Sequence, residues 1–376
     1  MVPWGEFVSV ARPVSEPPSS GKWFALFLLA AANACLMVIV AGGYTWLADI
    51  IAPLTGHLIG FGLTASVALV LRRRMLTVLA AGTAATIGLH AWLGLARCCE
   101  ATTAATAAVV TKVTLPPAYS SLTVLALNTW DHHGDLDRLR RYLASAPADV
   151  IVLSEFGPDK RALLQELKSV YPHQVDCADW HCELALLSRV ALEAGGAARI
   201  DAREPAFVWG RFAGSVTIIG THLHRPSRNP RRHERQISAL AKFIRRIDGP
   251  LILAGDLNTS PWSNSFRFLK AATGLTPSSV LLPSWPAWPV ALPQVALDHI
   301  LVSPELEVTA AGTGPAVGSD HLPVWARVGR RSFGPERSQP PSRRVTSRLA
   351  AAGPHLHGEF LAHLGSEHGG ARDLRR

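Results

Sequence analysis

The stretch LILAGDLN, residues 251–258, joins a short apolar run to an acid and an amide. The apolar residues Leu251 to Ala254 predict a buried β-strand. Successive side chains of a strand point to opposite faces, so Asp256 and Asn258 project to the same face. The stretch therefore predicts a strand that carries a carboxylate and an amide together into one pocket at the edge of a sheet.

Acidic, amide and imidazole side chains accompany other apolar runs in the same way. The runs that end on them are LALN at 125–128, VIVLSE at 150–155 and IIGTHLH at 218–224. The segments DHILV at 298–302 and GSDH at 318–321 begin or precede two further apolar runs. A lone acid after a strand is usually a helix cap or a turn former. Because sheets collect ligands and catalytic groups at the ends of their strands, the recurrence predicts an active site.

Short runs rich in Val, Ile and Leu alternate with amphipathic stretches between Leu122 and Val328, which predicts a mixed α/β domain. The predicted strands are Leu122–Leu127, Val150–Leu153, Leu184–Leu187, Val216–Thr221, Leu251–Ala254, Ile300–Val302 and Val324–Val328. The predicted helices are Leu136–Ala146, Lys160–Val170, Arg231–Ile247 and Ser263–Ala272. The segment is long enough to bury a full core.

The charge of this domain is nearly balanced, although the whole chain has a formal net charge of +9. Residues 122–328 hold 21 of the 37 Lys and Arg and 20 of the 28 Asp and Glu, which gives a net charge of +1. Such a domain has no global basic field. The balance argues against a processive nucleic-acid binder that is held by many phosphate contacts.

Three apolar runs without formal charge precede the domain, at about 23–43, 50–71 and 75–96. Each run reaches the roughly 20 residues that a helix needs to cross a bilayer. We therefore expect three transmembrane helices, and a lipid bilayer as a partner of the chain. A cleaved signal peptide is the alternative for the first run, because Ala32-Asn33-Ala34 resembles a small-residue cleavage site.

The cluster Arg72-Arg73-Arg74 lies between the second and third runs and fixes the orientation, because short basic loops stay in the cytoplasm. Residues 1–22 are then a cytoplasmic segment, and everything after the third run is extracytoplasmic. Residues 98–121 contain Pro116-Pro117 and read as a linker. Residues 329–376 are rich in Arg, Ser, Pro and Gly and are expected to form a disordered basic tail. The predicted location is the cell membrane, with a multi-pass anchor.

Cys177 and Cys182 lie five positions apart in the sequence CADWHC. A small disulfide loop suits an oxidising compartment outside the cytoplasm. A metal site with His181 is the alternative. The disulfide is favoured because no second pair of ligands stands at a recognisable metal-site spacing.

Six motifs together resemble the endonuclease/exonuclease/phosphatase superfamily, the deoxyribonuclease I-like group. They are the strand-final Asn128, Ser-Glu at 154–155, Thr-His-Leu at 221–223, Gly-Asp-Leu-Asn at 255–258, Leu-Asp-His-Ile at 297–300 and Gly-Ser-Asp-His-Leu-Pro at 318–323. The resemblance covers residues 122–328. With the apolar runs in front, the chain is most similar to the bacterial membrane-anchored members that carry N-terminal transmembrane helices.

The resemblance implies a four-layer α/β sandwich and hydrolysis of a phosphate ester by in-line attack of water, with Mg²⁺ or Mn²⁺ as cofactor. The residues carried over from the motifs have these implied roles: Glu155 and Asp320 as metal ligands, Asn128 beside the metal and the phosphate, Asn258 on the phosphate, Asp256 on the attacking water, His321 on the phosphate or a proton, Asp298 orienting His321, and His222 as a second imidazole. A transition state of this kind favours a metal, amide donors and imidazolium near its developing charge.

Three points stay open in the sequence. His224 is an alternative to His222, because both precede Pro226. Some nucleases of the superfamily have an acid two positions after the first Asn, where this chain has Trp130 and offers Asp131 only as a substitute. The third point concerns two groups of residues. The arginines after the predicted strand 216–221 either bind an anionic substrate or form a solvated helix face: Arg225, Arg228, Arg231, Arg232 and Arg235. Three tryptophans either line a substrate groove or a membrane-facing loop, or pack in the interior: Trp262, Trp285 and Trp288.

The function that these observations favour is hydrolysis of a phosphodiester, with a lipid, a small molecule or a nucleic acid as the substrate. A nuclease that acts on extracytoplasmic DNA or RNA is one alternative. A catalytically silent, membrane-tethered binding protein is an alternative of another class. No particular protein partner is indicated.

The orientation can be tested with a phosphatase reporter fused after Val328. We expect an active reporter, because the basic Arg72-Arg73-Arg74 loop should place this end outside the cytoplasm. A cytoplasmic reporter of the β-galactosidase type at the same position is the control and should be inactive. The reverse pattern of activities would overturn the predicted topology.

Overall fold

A computed structural model of the chain describes residues 27, 30–35, 38, 46–60, 88, 121–132, 135–177, 182–200, 206–212, 216–279, 281–291 and 294–330. The chain divides into two compact units. One unit contains Met1–Ala105 and Ser260–Arg267, and the other contains Thr106–Thr259 and Phe268–Arg376. Residues 98–120 of the predicted linker and 331–376 of the predicted tail lie outside the described residues.

Among residues 1–105, those that the structure describes are helical. Helix α1 covers Trp46–Ile51, and a 3-10 turn follows at Ala52–Leu54. Within the described parts of the chain, no helix combines the length and the apolar character needed to cross a membrane. The three predicted transmembrane helices are therefore not supported by the described residues, and most of 23–43 and 75–96 lies outside them. The predicted span 50–71 is described only to residue 60, and it begins inside α1 rather than after a loop.

Two six-stranded sheets form the second unit. The first has the strand order β11-β12-β1-β2-β4-β3 and the second has the order β5-β6-β7-β8-β10-β9. The strands are β1 Ser121–Asn128, β2 Val150–Ser154, β3 His173–Asp176, β4 Leu184–Ser188, β5 Leu192–Arg199, β6 Ala206–Phe212, β7 Val216–Thr221, β8 Leu251–Asp256, β9 Thr276–Pro277, β10 Asp298–Val302, β11 Leu306–Thr313 and β12 Val324–Arg330. The pairs β1–β2 and β7–β8 are parallel, and the other pairs are antiparallel, so both sheets are mixed.

Both faces of the central strands are buried, which explains why their sequences are mainly apolar rather than alternating. In β1 and β2, Val124 and Val152 belong to the core between the two sheets, together with Ile218 and Ile252 of the second sheet. The neighbouring residues of β1 and β2 face the other way, into a core that they share with Leu139 and Leu143 of helix α2, Leu136–Ser145. The observed layers confirm the predicted α/β sandwich.

The two longer helices that follow parallel strands begin with a side-chain cap. Asp135 accepts a hydrogen bond from the backbone N–H of Arg138 at the start of α2. Asn229 accepts from the backbone N–H of Arg232 at the start of α4, Pro230–Ile244. Such caps satisfy helix donors that have no partner within the helix. Each helix then returns the chain so that the next strand can run parallel to the last.

Two details of the predicted helices and strands were wrong. The helix predicted at 160–170 is a 3-10 turn, Pro158–Lys160, followed by the single-turn α3, Ala162–Glu166, and then by turns. By contrast, the helix predicted at 263–272 is confirmed as α5, Asn264–Thr273. The strands β3, β5, β6, β9 and β11 were not predicted. Strand β5 has the sequence LEAGGAAR, whose Gly and Ala content gives no strand signal.

Cys177 and Cys182 form a disulfide, with their Cα atoms 5.7 Å apart. This bears out the disulfide rather than the metal site. Cys177 is buried and both cysteines contact the core between the sheets. The bridge closes the segment between β3 and β4 next to that core.

Gly220 of β7 provides a test of how closely the two sheets pack. A Cβ at this position would lie 2.6 Å from Val152 Cγ1 of the first sheet and 2.9 Å from Val208 Cγ2 of β6. We expect Gly220→Ala to lower the free energy of unfolding by about 1–3 kcal/mol, because a dense core cannot admit the methyl group. Urea denaturation followed by circular dichroism measures the change.

The control for Gly220→Ala is Gly196→Ala in β5, where the nearest atom to an added Cβ is Trp209 Nε1 at an ordinary 3.5 Å. This variant should change the unfolding free energy much less. Equal losses in the two variants would contradict the close packing of the sheets at Gly220.

Candidate active site

Asn128 and Glu155 join the ends of two neighbouring strands of the first sheet. Asn128 is the last residue of β1, and Glu155 directly follows β2. The Nδ2 atom of Asn128 donates to Glu155 Oε1 at 2.9 Å. Glu155 Oε2 accepts from the backbone N–H of Asp131 at 3.0 Å. Asn128 and Glu155 are buried, so these hydrogen bonds hold the carboxylate in one position.

The amide of Asn128 also reaches the second sheet. Its Nδ2 atom donates to Asp256 Oδ2 at 3.0 Å, and Asp256 is the last residue of β8. Asp256 Oδ1 accepts from the backbone N–H of Asn258 at 2.8 Å. Asn258 Nδ2 donates to Leu223 O at 2.9 Å and to Asp256 Oδ2 at 3.2 Å. The strand ends of both sheets therefore meet in one hydrogen-bonded cluster.

His222 follows β7 and lies in the same cluster. Its Nε2 atom is 3.6 Å from Asp256 Oδ2, 3.8 Å from Glu155 Oε1 and 3.2 Å from Asn258 Nδ2. His222 is partly exposed, with 25% of its side chain accessible, whereas the side chain of Asp256 is fully buried. The imidazole is therefore the member of the cluster that faces the open side of the site.

His224 occupies a different position from His222. Its Nε2 atom lies 3.2 Å from Arg232 Nη1, and its backbone carbonyl accepts from His233 Nδ1 at 2.7 Å. Its backbone N–H donates to Gln236 Oε1 at 2.7 Å. Of the two candidate histidines, the structure places His222 beside the carboxylates and turns His224 towards helix α4.

Three residues of the site have a left-handed backbone, although none is a glycine. The φ angles are 60° at Trp130, 52° at Glu155 and 47° at Asn258. A conformation of this kind costs roughly 1–3 kcal/mol and persists where the surroundings impose it. Gly255 has a φ angle of 136°, and a Cβ there would overlap the backbone carbonyl of Thr221. The strained turns direct the side chains after β2 and β8 into the cluster.

Asp298 and His321 form a second, fully buried pair. Asp298 begins β10, and His321 lies just before β12. Asp298 Oδ2 and His321 Nδ1 are 2.6 Å apart. Burial opposes a charged imidazole, but the carboxylate of Asp298 outweighs it and raises the pKa of His321 to about 9. Burial also disfavours the charged form of Asp298, yet the charge and hydrogen bond of His321 lower the pKa of that carboxyl.

Two serines position this pair, and neither was assigned a role from the sequence. Ser319 Oγ donates to the backbone carbonyl of Asn128 at 2.7 Å and accepts from the backbone N–H of His321 at 3.0 Å. Ser284 Oγ accepts from the backbone N–H of Asp298 at 3.3 Å. Ser319 lies inside the Gly-Ser-Asp-His motif, so its place in the motif was the available signal. Ser284 stands in no motif, and no sequence signal could have identified it.

The carboxylate of Asp320 lies near that of Glu155, close enough for their charges to interact. Its Oδ2 atom accepts from Trp285 Nε1 at 3.4 Å, and its Oδ1 atom lies 4.0 Å from His321 Nε2. Burial raises the pKa of Asp320, and the negative charge of Glu155 adds to the effect. The Oδ1 atom is buried and accepts no hydrogen bond from the described residues.

The environments of Glu155 and Asp256 move their pKa values in opposite directions. Burial works against a charged Glu155, but the amide of Asn128 and the charge of His222 outweigh it, so the pKa of Glu155 is lowered. Burial and the nearby charge of Asp298 raise the pKa of Asp256. Two carboxyls with opposite shifts suit two different roles, one as a permanent anion and one as a proton acceptor.

The donor atoms of the site fit a divalent cation. Ligand atoms of Glu155, His222 and Asp256 lie within 4.8 Å of one another, and a second such group consists of Asp256, Asp298 and His321. Carboxylate oxygens are the ligands that Mg²⁺ and Mn²⁺ favour. The buried Oδ1 atom of Asp320, which lacks a donor among the described residues, is the kind of anionic oxygen that a cation satisfies. Asp320 belongs to neither group, so its role as a ligand stays a prediction.

Two charged residues near Glu155 were not predicted as members of the site. Arg225 Nη2 lies 3.5 Å from Glu155 Oε1. Burial raises the pKa of Glu183, and the charges of Asp131 and Glu155 add to the shift. Arg225 was noticed in the sequence only as part of the arginine run. Glu183 follows Cys182 in a segment without a motif, so the sequence contained no signal for it.

Residues 126–321 match the model of the endonuclease/exonuclease/phosphatase family. No curated protein matches the chain. Similar solved structures include the endonuclease/exonuclease/phosphatase from Bacteroides vulgatus, with 13% identity over 57% of this chain and 100% of that chain and a TM-score of 0.48. Sphingomyelinase C from Streptomyces griseocarneus is 20% identical over 56% of this chain and 99% of that chain, with a TM-score of 0.42. Humanized D. rerio TDP2 is 16% identical over 56% of this chain and 100% of that chain, with a TM-score of 0.46.

The family match spans 196 of the 376 residues, counted from 126 to 321, and it runs from the interior of β1 to His321. It therefore contains every residue of the hydrogen-bonded cluster and of the buried Asp298–His321 pair. The chain belongs to the endonuclease/exonuclease/phosphatase family.

Proposed function

We propose that the chain is a divalent-metal-dependent phosphoesterase that hydrolyses a phosphodiester by in-line attack of water. The observation that carries this proposal is the cluster in which one amide, that of Asn128, bonds both Glu155 and Asp256. The cluster combines hard anionic ligands with a proton acceptor and with the imidazole of His222. These are the groups that water attack on a phosphodiester needs.

Glu155 and Asp320 are the residues that would hold the metal, with Asn128 beside them as the amide that orients Glu155. The Oδ1 atom of Asn128 accepts from the backbone N–H of Trp130 at 2.9 Å and would become a ligand only by giving up that hydrogen bond. When bound, Mg²⁺ or Mn²⁺ would supply a Lewis acid that polarises the phosphoryl oxygen and offsets its developing charge. Asn128 Nδ2 and the backbone N–H of Asp131 hold the Glu155 carboxylate in the orientation that faces the site. This fixed position removes the cost of ordering the ligand when the cation arrives.

Asp256 orients the attacking water and accepts its proton. Its raised pKa makes it a better proton acceptor than an ordinary aspartate. Its Oδ1 atom is held by the backbone N–H of Asn258, and its Oδ2 atom by the amide of Asn128. Asn258 Nδ2 contacts Asp256 Oδ2 and His222 Nε2, each at 3.2 Å, and it binds the phosphate after it gives up the contact with Asp256.

His321 provides positive charge for the reacting phosphate. Because its pKa is raised to about 9, it is an imidazolium at neutral pH, and Asp298 keeps Nδ1 occupied. The proton on Nε2 is then the one that can be donated to a phosphate oxygen or to the leaving group. His222, at the open side of the site, contacts the phosphate as the second imidazole.

We also propose that the chain is anchored in the cell membrane by three helices at 23–43, 50–71 and 75–96, with the catalytic domain outside the cytoplasm. Support comes from the three uncharged apolar runs and from the basic loop at Arg72-Arg73-Arg74. The near-neutral domain and the anchor favour a lipid or small-molecule phosphodiester. Extracytoplasmic DNA or RNA is the alternative substrate, because the arginines after β7 could bind its phosphates.

Removal of the proton acceptor tests the reaction. We expect Asp256→Ala to lower kcat for bis-(p-nitrophenyl) phosphate by about 100-fold to 10,000-fold, because general-base catalysis contributes that much. The control is Asp248→Ala, which removes an exposed aspartate just before β8. Plasmid DNA and sphingomyelin, assayed in parallel, identify the substrate class. Turnover in the Asp256→Ala variant equal to the wild type would refute the assigned role, and no metal-dependent turnover by the wild type would favour the silent binding protein.

Removal of the principal metal ligand tests the cofactor. EDTA should abolish hydrolysis, and Mg²⁺ or Mn²⁺ should restore it. Glu155→Gln should raise the Mn²⁺ concentration for half-maximal binding by at least about 10-fold, measured by electron paramagnetic resonance of free Mn²⁺, since loss of a residue that only supports a ligand already weakens a metal site by about 10-fold to 100-fold. Glu166→Gln, at an exposed position in α3, is the control. Unchanged Mn²⁺ binding in Glu155→Gln would contradict the ligand assignment.

A further inference from the structure

A cavity of about 450 Å³ opens beside Glu155 and His222. Four arginines from three different elements line it: Arg199 at the end of β5, Arg225 and Arg228 in the turn after β7, and Arg232 in the first turn of α4. The carboxylates in the lining are Asp131, Glu155 and Glu183. The volume is typical of a small-molecule site and exceeds what a single phosphodiester group fills.

The cavity contains more arginines than are needed to balance the charge of the phosphodiester that is hydrolysed. A phosphodiester has one negative charge, and Arg225 already lies 3.5 Å from Glu155 at the reacting centre. Arg232 Nη1 lies 3.2 Å from His224 Nε2, the histidine that turns towards helix α4 and not the one beside the carboxylates. The side chain of Arg228 is exposed and forms no hydrogen bond or ion pair with the described residues. These two guanidinium groups therefore stand beside the reacting centre rather than in it.

Arg232 lies at a helix N-terminus, which adds positive partial charge to that of its guanidinium group. Helix α4 has 15 residues, and its first turn contains Arg231 and Arg232 but no acidic residue. The N-terminus of a helix carries positive partial charge, so cations there are unfavourable unless an anion offsets them. An anionic group in the cavity would meet both the guanidinium groups and the positive end of α4. Guanidinium groups also bind phosphate oxygens in a bidentate manner.

We propose that Arg228 and Arg232, assisted by Arg199, form a subsite for a second phosphate, so that the substrate is a phosphodiester that carries a further phosphate group. This inference rests on the proposed function, because it takes the cluster around Glu155 and His222 as the place where the phosphodiester is hydrolysed. The second phosphate adds up to two negative charges to the ligand. The three arginines of the subsite would balance these charges. A phosphorylated lipid headgroup and a phosphorylated nucleotide end share this chemistry.

Binding without turnover tests the subsite directly. The full-length protein in EDTA is titrated by calorimetry with thymidine 3′,5′-bisphosphate and with thymidine 5′-monophosphate. We expect the bisphosphate to bind at least tenfold more tightly. The double variant Arg228→Ala/Arg232→Ala should reduce this ratio to below threefold. The control is Arg231→Ala, which removes the same charge from the same helical turn at an exposed position that does not line the cavity, and it should retain the ratio within twofold.

Hydrolysis identifies the source of the second phosphate. Two pairs of substrates are compared: thymidylyl-thymidine with and without a 5′-phosphate, and glycerophosphoinositol with and without a 4-phosphate. In the pair that resembles the natural substrate, we expect the phosphorylated member to have a kcat/KM at least tenfold higher. The double variant should lose most of this preference, and Arg231→Ala should keep it.

The outcomes separate the subsite from the catalytic proposal. A preference below twofold in both pairs, or a preference that survives the double variant, would overturn the subsite while hydrolysis itself supports the phosphoesterase. Arginine-dependent binding of the bisphosphate without hydrolysis of any substrate would support the subsite and reject the reaction. Equal weakening of both nucleotides by Arg231→Ala and by the double variant would show a general charge effect and would also overturn the subsite.

Discussion

The amide of Asn128 is the interaction on which the site depends, because it connects the two sheets where their functional residues meet. One nitrogen donates to Glu155 at the edge of the first sheet and to Asp256 at the edge of the second. Glu155 and Asp256 have carboxylate oxygens within 4.8 Å of each other, and two buried carboxylates this close would repel each other in a medium of low dielectric. The shared donor offsets part of this repulsion, and a divalent cation would offset more. The backbone carbonyl of Asn128 accepts a hydrogen bond from Ser319 Oγ, and Ser319 Oγ accepts one from the backbone N–H of His321. Asn128 is therefore also connected to the loop that contains His321.

The central strands and most of the site could be predicted because their physical signals are local. Each of β1, β2, β7 and β8 is a mainly apolar run with a polar residue at or just after its end, and burial on both faces favours that composition. Asp256 and Asn258 were placed together by the period of a strand. The outer strands could not be predicted in the same way. Strand β5 has half-buried positions and a Gly- and Ala-rich sequence, so its strand conformation comes from pairing with β6 rather than from its own residues.

The supporting residues were missed for a different reason. Ser284 and Glu183 act through long-range contacts: Ser284 Oγ reaches Asp298 across 14 positions, and the carbonyl of Glu183 accepts from the backbone N–H of Phe156. No pattern of neighbouring residues encodes such contacts. The choice between His222 and His224 likewise needed three dimensions, since both follow the same strand. The cavity could not be predicted either, because the domain is nearly neutral in total while four of its arginines line one cavity.

The proposed reaction depends on a divalent cation that strand ends of the two sheets would hold beside Glu155. The most direct measurement is anomalous diffraction from crystals of the full-length protein soaked in Mn²⁺, compared with crystals of Glu155→Gln. We expect one strong anomalous peak within coordination distance of the Glu155 carboxylate, and we expect it to be lost or weakened in the variant. A peak elsewhere in the molecule with none at Glu155, or an equal peak in the variant, would contradict it.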